Sequence, residues 1–405
     1  MQSLDYKFAG LGTDNAPGQE ARQRIDNIDD LLVGEPLIGK AVDFSHGDVD
    51  AFQPAPLSFD AFAAGVRLGG RRAYTEYRGD AAIRDVLAER LADFTGAAVS
   101  GGEGLIITPG TQGALFLALA STVGTGDKVA IVEPDYFANR KLVRFLDGEI
   151  VPVTMNYLGE TDMAGLDLSH LERAFADGVR VFVFSNPNNP TGVVYGPAEI
   201  AAIAALATRY GVTVIVDQLY ARQQFDNVAY THLRAQDADP EKVITIMGPS
   251  KTESLSGYRL GVAFGASSIV SRMEKLQAIV SLRAGGYSQS VLETWFAEPI
   301  GWLAERIALH QAIRDELYAL FGKIEGVRTR LPQAGSYLFP QLPKLSVSGG
   351  DFVRILRHQA SVIVTPGTEF GPQFDDSIRL NFSQDHRAAA QAVDRVALLV
   401  ERYRL

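Results

Sequence analysis

The chain has 405 residues, 46% hydrophobic and 21% charged, which exceeds the size at which one core stops growing and makes two soluble domains the expectation. Its 38 basic and 48 acidic side chains leave a net charge of -10, which opposes binding to polyanions and excludes nucleic acid as the main partner. Cysteine is absent, removing disulfides, thiolate metal sites and thiol nucleophiles, and no apolar run reaches membrane-spanning length, so no metal, no membrane partner and a cytoplasmic location are expected.

The first fifty or so residues are loop-rich and expected to pack on the C-terminal unit or across a partner chain. From about 80 to 265, short β-branched runs alternate with helical segments, the pattern of βαβ units. The runs are GLIITP at 104, KVAIVEP at 128, VRVFVFSNP at 179, VTVIVDQ at 212, VITIMGP at 243 and LGVAFG at 260. Six strands in one mostly parallel sheet are expected. Helices are expected from Asp80 to near Gly96, from Pro197 to Gly211 and after Ser267. Residues 289–325 read as one long helical stretch, after which SYLFPQL, SVIVTPG and SIRLNFS alternate with FVRILRHQA and a terminal amphipathic helix. The fold class is therefore α/β: a large domain, 56–295, whose sheet is flanked by helices, and a smaller α+β domain formed by 296–405 with the N-terminal segment 1–55.

Ligands of open parallel sheets sit beyond the carboxyl ends of the strands. Those ends are polar here. Gly110-Thr111-Gln112-Gly113 opens a helix and offers backbone N–H groups to a phosphate. Tyr136 follows the second run, Asn189 the third, Asp217 and Tyr220 the fourth, Ser250 and Lys251 the fifth, with Arg259 in the same loop. Singly, each has an ordinary structural role: a helix entry, a turn, a cap, a solvated lysine. Together, a lysine beside an arginine, a phosphate turn, a carboxylate and a stacking ring meet the needs of pyridoxal 5'-phosphate.

GPSKTESLSGYRLG at 248, NPNNPTG at 186 and DQLY at 217, with HGDVDAFQP at 46, YTEYRGDAAIR at 74, TPGTEFGP at 365 and RLNFS at 379, resemble the class I/II aminotransferases, the fold-type I pyridoxal phosphate enzymes related to aspartate aminotransferase. The resemblance covers nearly the whole chain. It implies that Lys251 carries the cofactor covalently and moves the substrate proton, that Asp217 faces the pyridine nitrogen, and that Tyr220 and Asn189 hydrogen-bond the ring oxygen. By the same resemblance Tyr136 stacks on the ring, Gly110, Thr111, Gln112, Ser250 and Arg259 hold the phosphate, and Tyr74 reaches the phosphate of the other subunit of a homodimer with shared active sites. Arg379 would clamp the substrate α-carboxylate, with Gly47 closing over it and Arg283 a candidate for a side-chain carboxylate. Gly248 departs from the family, which often has Ser there.

The implied activity is transfer of an amino group between an L-amino acid and a 2-oxo acid by a ping-pong cycle. An alternative on the same scaffold is an eliminating, replacing, cyclising or oxidising enzyme related to 1-aminocyclopropane-1-carboxylate synthase. A ligand-sensing regulator of this fold would carry an N-terminal DNA-binding domain, and the motifs begin too early, at 46, to leave room for one. Arg283, Arg78 and His46 lean the expected substrate toward a polar or acidic amino acid.

Overall fold

A computed structural model describes residues 4–13, 28–159 and 163–405. Its strands, in chain order, are β1 (Val42–Asp43), β2 (Leu105–Pro109), β3 (Lys128–Glu133), β4 (Glu149–Thr154), β5 (Val181–Ser185), β6 (Thr213–Asp217), β7 (Val243–Met247), β8 (Leu260–Gly265), β9 (Tyr337–Leu338), β10 (Val362–Ile363), β11 (Thr365–Pro366) and β12 (Ile378–Asn381). Seven of them form one sheet in the order β2-β8-β7-β6-β5-β3-β4.

The continuous apolar runs follow from burial on both faces. Val129 and Ile131 enter the core beneath the helices Gly110–Thr122 and Ser267–Val280, while Ala130 and Val132 enter the core beneath Leu168–Ala176 and Pro197–Tyr210. Helix ends obey local chemistry. The Asp80 side chain accepts from the Ile83 N–H and Gly96 closes the helix Ala81–Thr95 in the left-handed region, as Gly211 does for Pro197–Tyr210.

Two expectations need correction. The sheet has seven strands, because Glu149–Thr154 pairs in parallel along β3. That edge strand buries only Val153 and contains Pro152, which an edge position tolerates, so it lacks the apolar run of its neighbours. The long helical stretch is also interrupted. A short turn, Ser290–Thr294, is followed by a helix that starts only at Trp302, since Pro299 and the left-handed Gly301 intervene.

Strand direction decides where the chemistry gathers. β3, β5, β6 and β7 run parallel, and β8 is antiparallel to both β7 and β2. β2, β3, β5, β6 and β7 therefore end at one edge of the sheet, and β8 begins there.

The C-terminal part forms a second core. β11, β12 and β9 make a small antiparallel sheet, and β1 pairs in parallel with β10, which stitches the N-terminal segment to this unit. Val42 and Phe44 join Ile313, Phe352, Leu380, Val396 and Tyr403 in its interior.

A buried ion cluster supports the loops beyond β6 and β7. Arg222 donates to both carboxylate oxygens of Glu298, at 2.8 and 2.9 Å, and also to Glu253, which accepts from the Trp295 indole at 3.2 Å. Removing one partner of such a cluster strands a charge away from water. An Arg222→Ala variant should lose about 3–5 kcal/mol of stability, read as a lower urea midpoint; an unchanged midpoint would show that the cluster is not a structural tie.

Candidate active site

At the shared edge lies a cavity of about 200 Å³. Lys251, Asp217, Asn189, Tyr220 and Tyr136 line it, as do Thr111, Gln112, Ser250, Arg259 and Arg379. Residues far apart in the chain converge because five strands deliver their carboxyl ends to one place.

One corner of the cavity is the start of the helix Gly110–Thr122. Gly110 has φ 78, and a Cβ there would stand 2.6 Å from Arg259 Nη2, so glycine lets the guanidinium lie against the helix N-terminus. Arg259 itself is left-handed, at φ 54, between a 3-10 turn and β8. Gly261 permits the matching approach from β8, where a Cβ would come within 2.4 Å of the Thr111 nitrogen. Gly248 has the same cause. A Cβ there would meet Thr111 Cγ2 at 2.8 Å and Gly261 Cα at 3.2 Å.

Asp217 ends β6, and its carboxylate accepts from the Leu219 N–H at 3.0 Å. Burial pushes it up to about 6 against that single hydrogen bond. Asp135 has four donors, the Ser185 hydroxyl at 2.6 Å, the Ser185 N–H at 2.9 Å, the Tyr136 N–H at 2.5 Å and the Asn139 Nδ2 at 3.4 Å, yet burial still raises it to about 7. It thereby fixes the turn that presents Tyr136, whose hydroxyl donates to Gln112 Oε1 at 2.9 Å.

Arg379 reaches the cavity from the small unit and is 1% exposed. It donates to Asn189 Oδ1 at 3.2 Å and to the Ser45 carbonyl at 2.9 Å, and its guanidinium lies over the rings of Tyr337 and Phe370 at 4.3 and 4.9 Å. Its Nε is buried with no hydrogen-bond partner among the described residues. A buried donor left open in this way suits an anionic ligand.

Gly47, Tyr74, Arg283 and Arg78, named from the sequence, stand outside this cavity, and Gly110 borders Arg259 without lining it. Gly47 lines an adjoining cavity of about 540 Å³ that shares Lys251, Ser250 and His46 with the first. Tyr74 is 82% exposed, and Arg283 stacks on Tyr74 and Tyr77 at 5.7 and 5.6 Å. Arg78 is occupied by Glu274 and the Gly102 carbonyl, so it offers no cation to a substrate. The His46 imidazole, 3.4 Å from Asp43, is raised to about 9 by that hydrogen bond. Among the described residues no cluster of His, Cys, Asp or Glu could hold a metal, and no helix is long and apolar enough to cross a membrane.

The family described as "Aminotransferase class I and II" matches residues 40–396. The chain belongs to the class I and II aminotransferases. It is 63% identical to an aspartate aminotransferase from Rhodobacter sphaeroides of solved structure, with a TM-score of 0.96 and each chain covered over 100% of its length. It is 29% identical to an aspartate aminotransferase of Sulfolobus acidocaldarius over 81% of this chain and 82% of that one. The fold alone is shared with the Thermus thermophilus aspartate aminotransferase, at 22% identity and a TM-score of 0.85 over 98% of this chain and 100% of that one.

This aminotransferase also carries site residues that spacing did not single out. Tyr337 lies in SYLFPQL, where it reads as one more apolar strand position, yet it lines the cavity. Asp135 reads as a turn residue beside Tyr136. Neither carries a local signal, because both acquire their role from residues on other strands.

The glycine contacts give a direct test. A Gly248→Ser variant should cost about 1–3 kcal/mol through overpacking against Thr111, seen as a lower melting temperature; equal melting temperatures would show that the helix start has room to spare.

Proposed function

We propose that this aminotransferase holds pyridoxal 5'-phosphate in the cavity, anchored on Lys251, and moves an amino group between an L-amino acid and a 2-oxo acid in a ping-pong cycle. The carrying observation is that Lys251, Asp217 and Arg259 line one cavity. The residues present fit the cofactor. The Gly110 helix start with Arg259 against it supplies a phosphate cradle too tight for any side chain at 110, and Asp217 supplies the carboxylate for a protonated ring nitrogen. When bound, the cofactor offers a conjugated ring that takes up the electron pair left when the substrate α-proton departs.

The chain's own residues bind, orient and move the proton. Arg379, with an unpartnered Nε and two further nitrogens in a planar fork, receives the α-carboxylate of either substrate. Tyr136 presents its ring to one side of the cavity, and Thr111, Gln112, Ser250 and Arg259 gather at the phosphate end. Lys251 Nζ would take the proton from the substrate α-carbon and return it on the far side of the amino nitrogen, at the cofactor's aldehyde-derived carbon, a role worth about 10²- to 10⁴-fold in rate.

Two finer readings follow. Aspartate or another acidic amino acid is the proposed substrate, supported by the 63% identical relative named an aspartate aminotransferase. A homodimer is the proposed assembly, supported by the exposed apolar side chains Tyr74, Ile279, Phe59 and Leu282, of which Tyr74 lies under Arg283. That placement leaves Tyr74 and Arg283 to serve the site of the second subunit.

Two measurements test the reading. A Lys251→Ala variant should lose transamination by at least about 10²-fold and retain no cofactor after borohydride reduction; retained turnover would remove Lys251 from its role. The Asp217 carboxyl, raised from 3.8 to about 6 by burial, adds to the stability of the cofactor-free chain below its unfolded value, and that contribution is lost as pH rises through about 6. Pairing with a cationic ring nitrogen needs the ionised form, so cofactor affinity should fall as pH drops below about 6. An Asp217→Asn variant should lose that part of the dependence and keep any part due to the cofactor's phosphate. Equal pH profiles of cofactor binding in the two proteins would count against the pairing.

A further inference from the structure

Asp135 is 2% exposed and follows β3 without lining the cavity. Its carboxylate nevertheless reaches two residues that do. Oδ1 accepts from the Tyr136 N–H at 2.5 Å and from the Ser185 hydroxyl at 2.6 Å, and the same Ser185 Oγ accepts from the Asn189 N–H at 3.1 Å. We propose that Asp135 is a positioning residue for the reaction: as a carboxylate it sets the ring of Tyr136 and, through Ser185, the amide of Asn189 in one arrangement at the cavity. The inference rests on the proposed function, since those two groups act only as they meet cofactor and substrate.

The donors decide why an acid stands here. The Tyr136 N–H binds Oδ1 and the Ser185 N–H binds Oδ2, at 2.9 Å. A backbone N–H can only donate, so both oxygens are used as acceptors. Bonds of this kind are stronger to a carboxylate than to a neutral group. An asparagine in the same place would turn its NH2 toward one of the two backbone donors and push that turn away. The fold does not hang on this residue alone, because the Asn188 Nδ2 donates to the Pro134 carbonyl at 3.1 Å and ties the same two turns independently.

The contacts close into a ring that includes the small unit. The Asp135 N–H donates to the Phe370 carbonyl at 3.2 Å, the Phe370 ring lies 4.9 Å from the Arg379 guanidinium, and Arg379 donates to Asn189 Oδ1 at 3.2 Å. Asn189 leads back to Asp135 through Ser185. Asn189 is therefore held from two sides, by Arg379 on its side chain and by Ser185 on its backbone. Loosening the Ser185 side lets Asn189 shift and takes Arg379, the receptor for the α-carboxylate, with it. Loosening Asp135 itself releases the Tyr136 turn as well.

The experiment compares Asp135→Asn and Ser185→Ala with wild type, each loaded with pyridoxal 5'-phosphate. It reads the visible circular dichroism of the bound cofactor and the kinetics per bound cofactor, with far-ultraviolet circular dichroism confirming the fold. Asp135→Asn should change the intensity of the visible circular dichroism, because the ring of Tyr136 moves, and lower kcat/KM by about 10- to 100-fold through the misplaced groups. Ser185→Ala cuts only the arm to Asn189. It should raise KM for the amino acid and the 2-oxo acid by about 10-fold and keep the visible circular dichroism of wild type. An Asp135→Asn protein with a lower melting temperature but wild-type visible circular dichroism and kinetics would show a merely structural residue and overturn the inference. Should Asp135→Asn fail to fold, Ser185→Ala still decides, since an unchanged KM overturns the link to Asn189. A wild-type chain that develops no visible band with pyridoxal 5'-phosphate would instead overturn the proposed function.

Discussion

The constraint on which the molecule depends is strand direction. Parallel strands deliver their carboxyl ends to one edge, and a right-handed crossover through a helix is the short route between them. β2, β3, β5, β6 and β7 comply, so Thr111, Tyr136, Asn189, Asp217 and Lys251 meet at that edge although 140 residues separate the first from the last. The single reversed strand, β8, completes the set. Because it begins where the others end, Arg259 falls on the helix start that Gly110 leaves open.

Electrostatics at that edge are arranged by burial. Asp217 and Asp135 are both removed from water and both raised, yet their surroundings differ. Asp135 is satisfied by four donors within the chain and serves to hold a turn. Asp217 has one donor and faces the cavity, and its unmet demand suits a cationic partner. Arg379 is the counterpart on the small unit, held by Asn189, the Ser45 carbonyl and two aromatic rings, with one nitrogen open. The two units thus supply opposite charges to one space.

Close packing explains the glycines. Gly110, Gly248 and Gly261 each stand where a methyl group would strike the helix start or the arginine against it. At 248, where the resembled family often has serine, a Cβ would meet Thr111 Cγ2 at 2.8 Å. The chain packs the helix start tightly and leaves the rest of the cavity to longer side chains.

The sheet and the order of its loops were legible from the sequence, because strands buried on both faces must be apolar throughout and the polar residues that end them stand out against such runs. β4 escaped notice, since an edge strand with a proline and one buried side chain has no such contrast, and Pro299 and Gly301 divided a stretch whose composition is helical. Lys251, Asp217, Asn189 and Arg379 were legible as residue types at motif spacing, whereas Tyr337 was not, because in SYLFPQL it reads as one more apolar strand position and only the fold brings it to the cavity. Arg78 and Arg283 both leaned the expected substrate toward an acid, and only the fold engaged one with Glu274 and left the other stacked on two tyrosines. Local sequence determines which groups are present and which element carries them, while the direction of β8 and the closure of the small unit over Asn189 decide which groups touch, since those distances are set by contacts between distant segments.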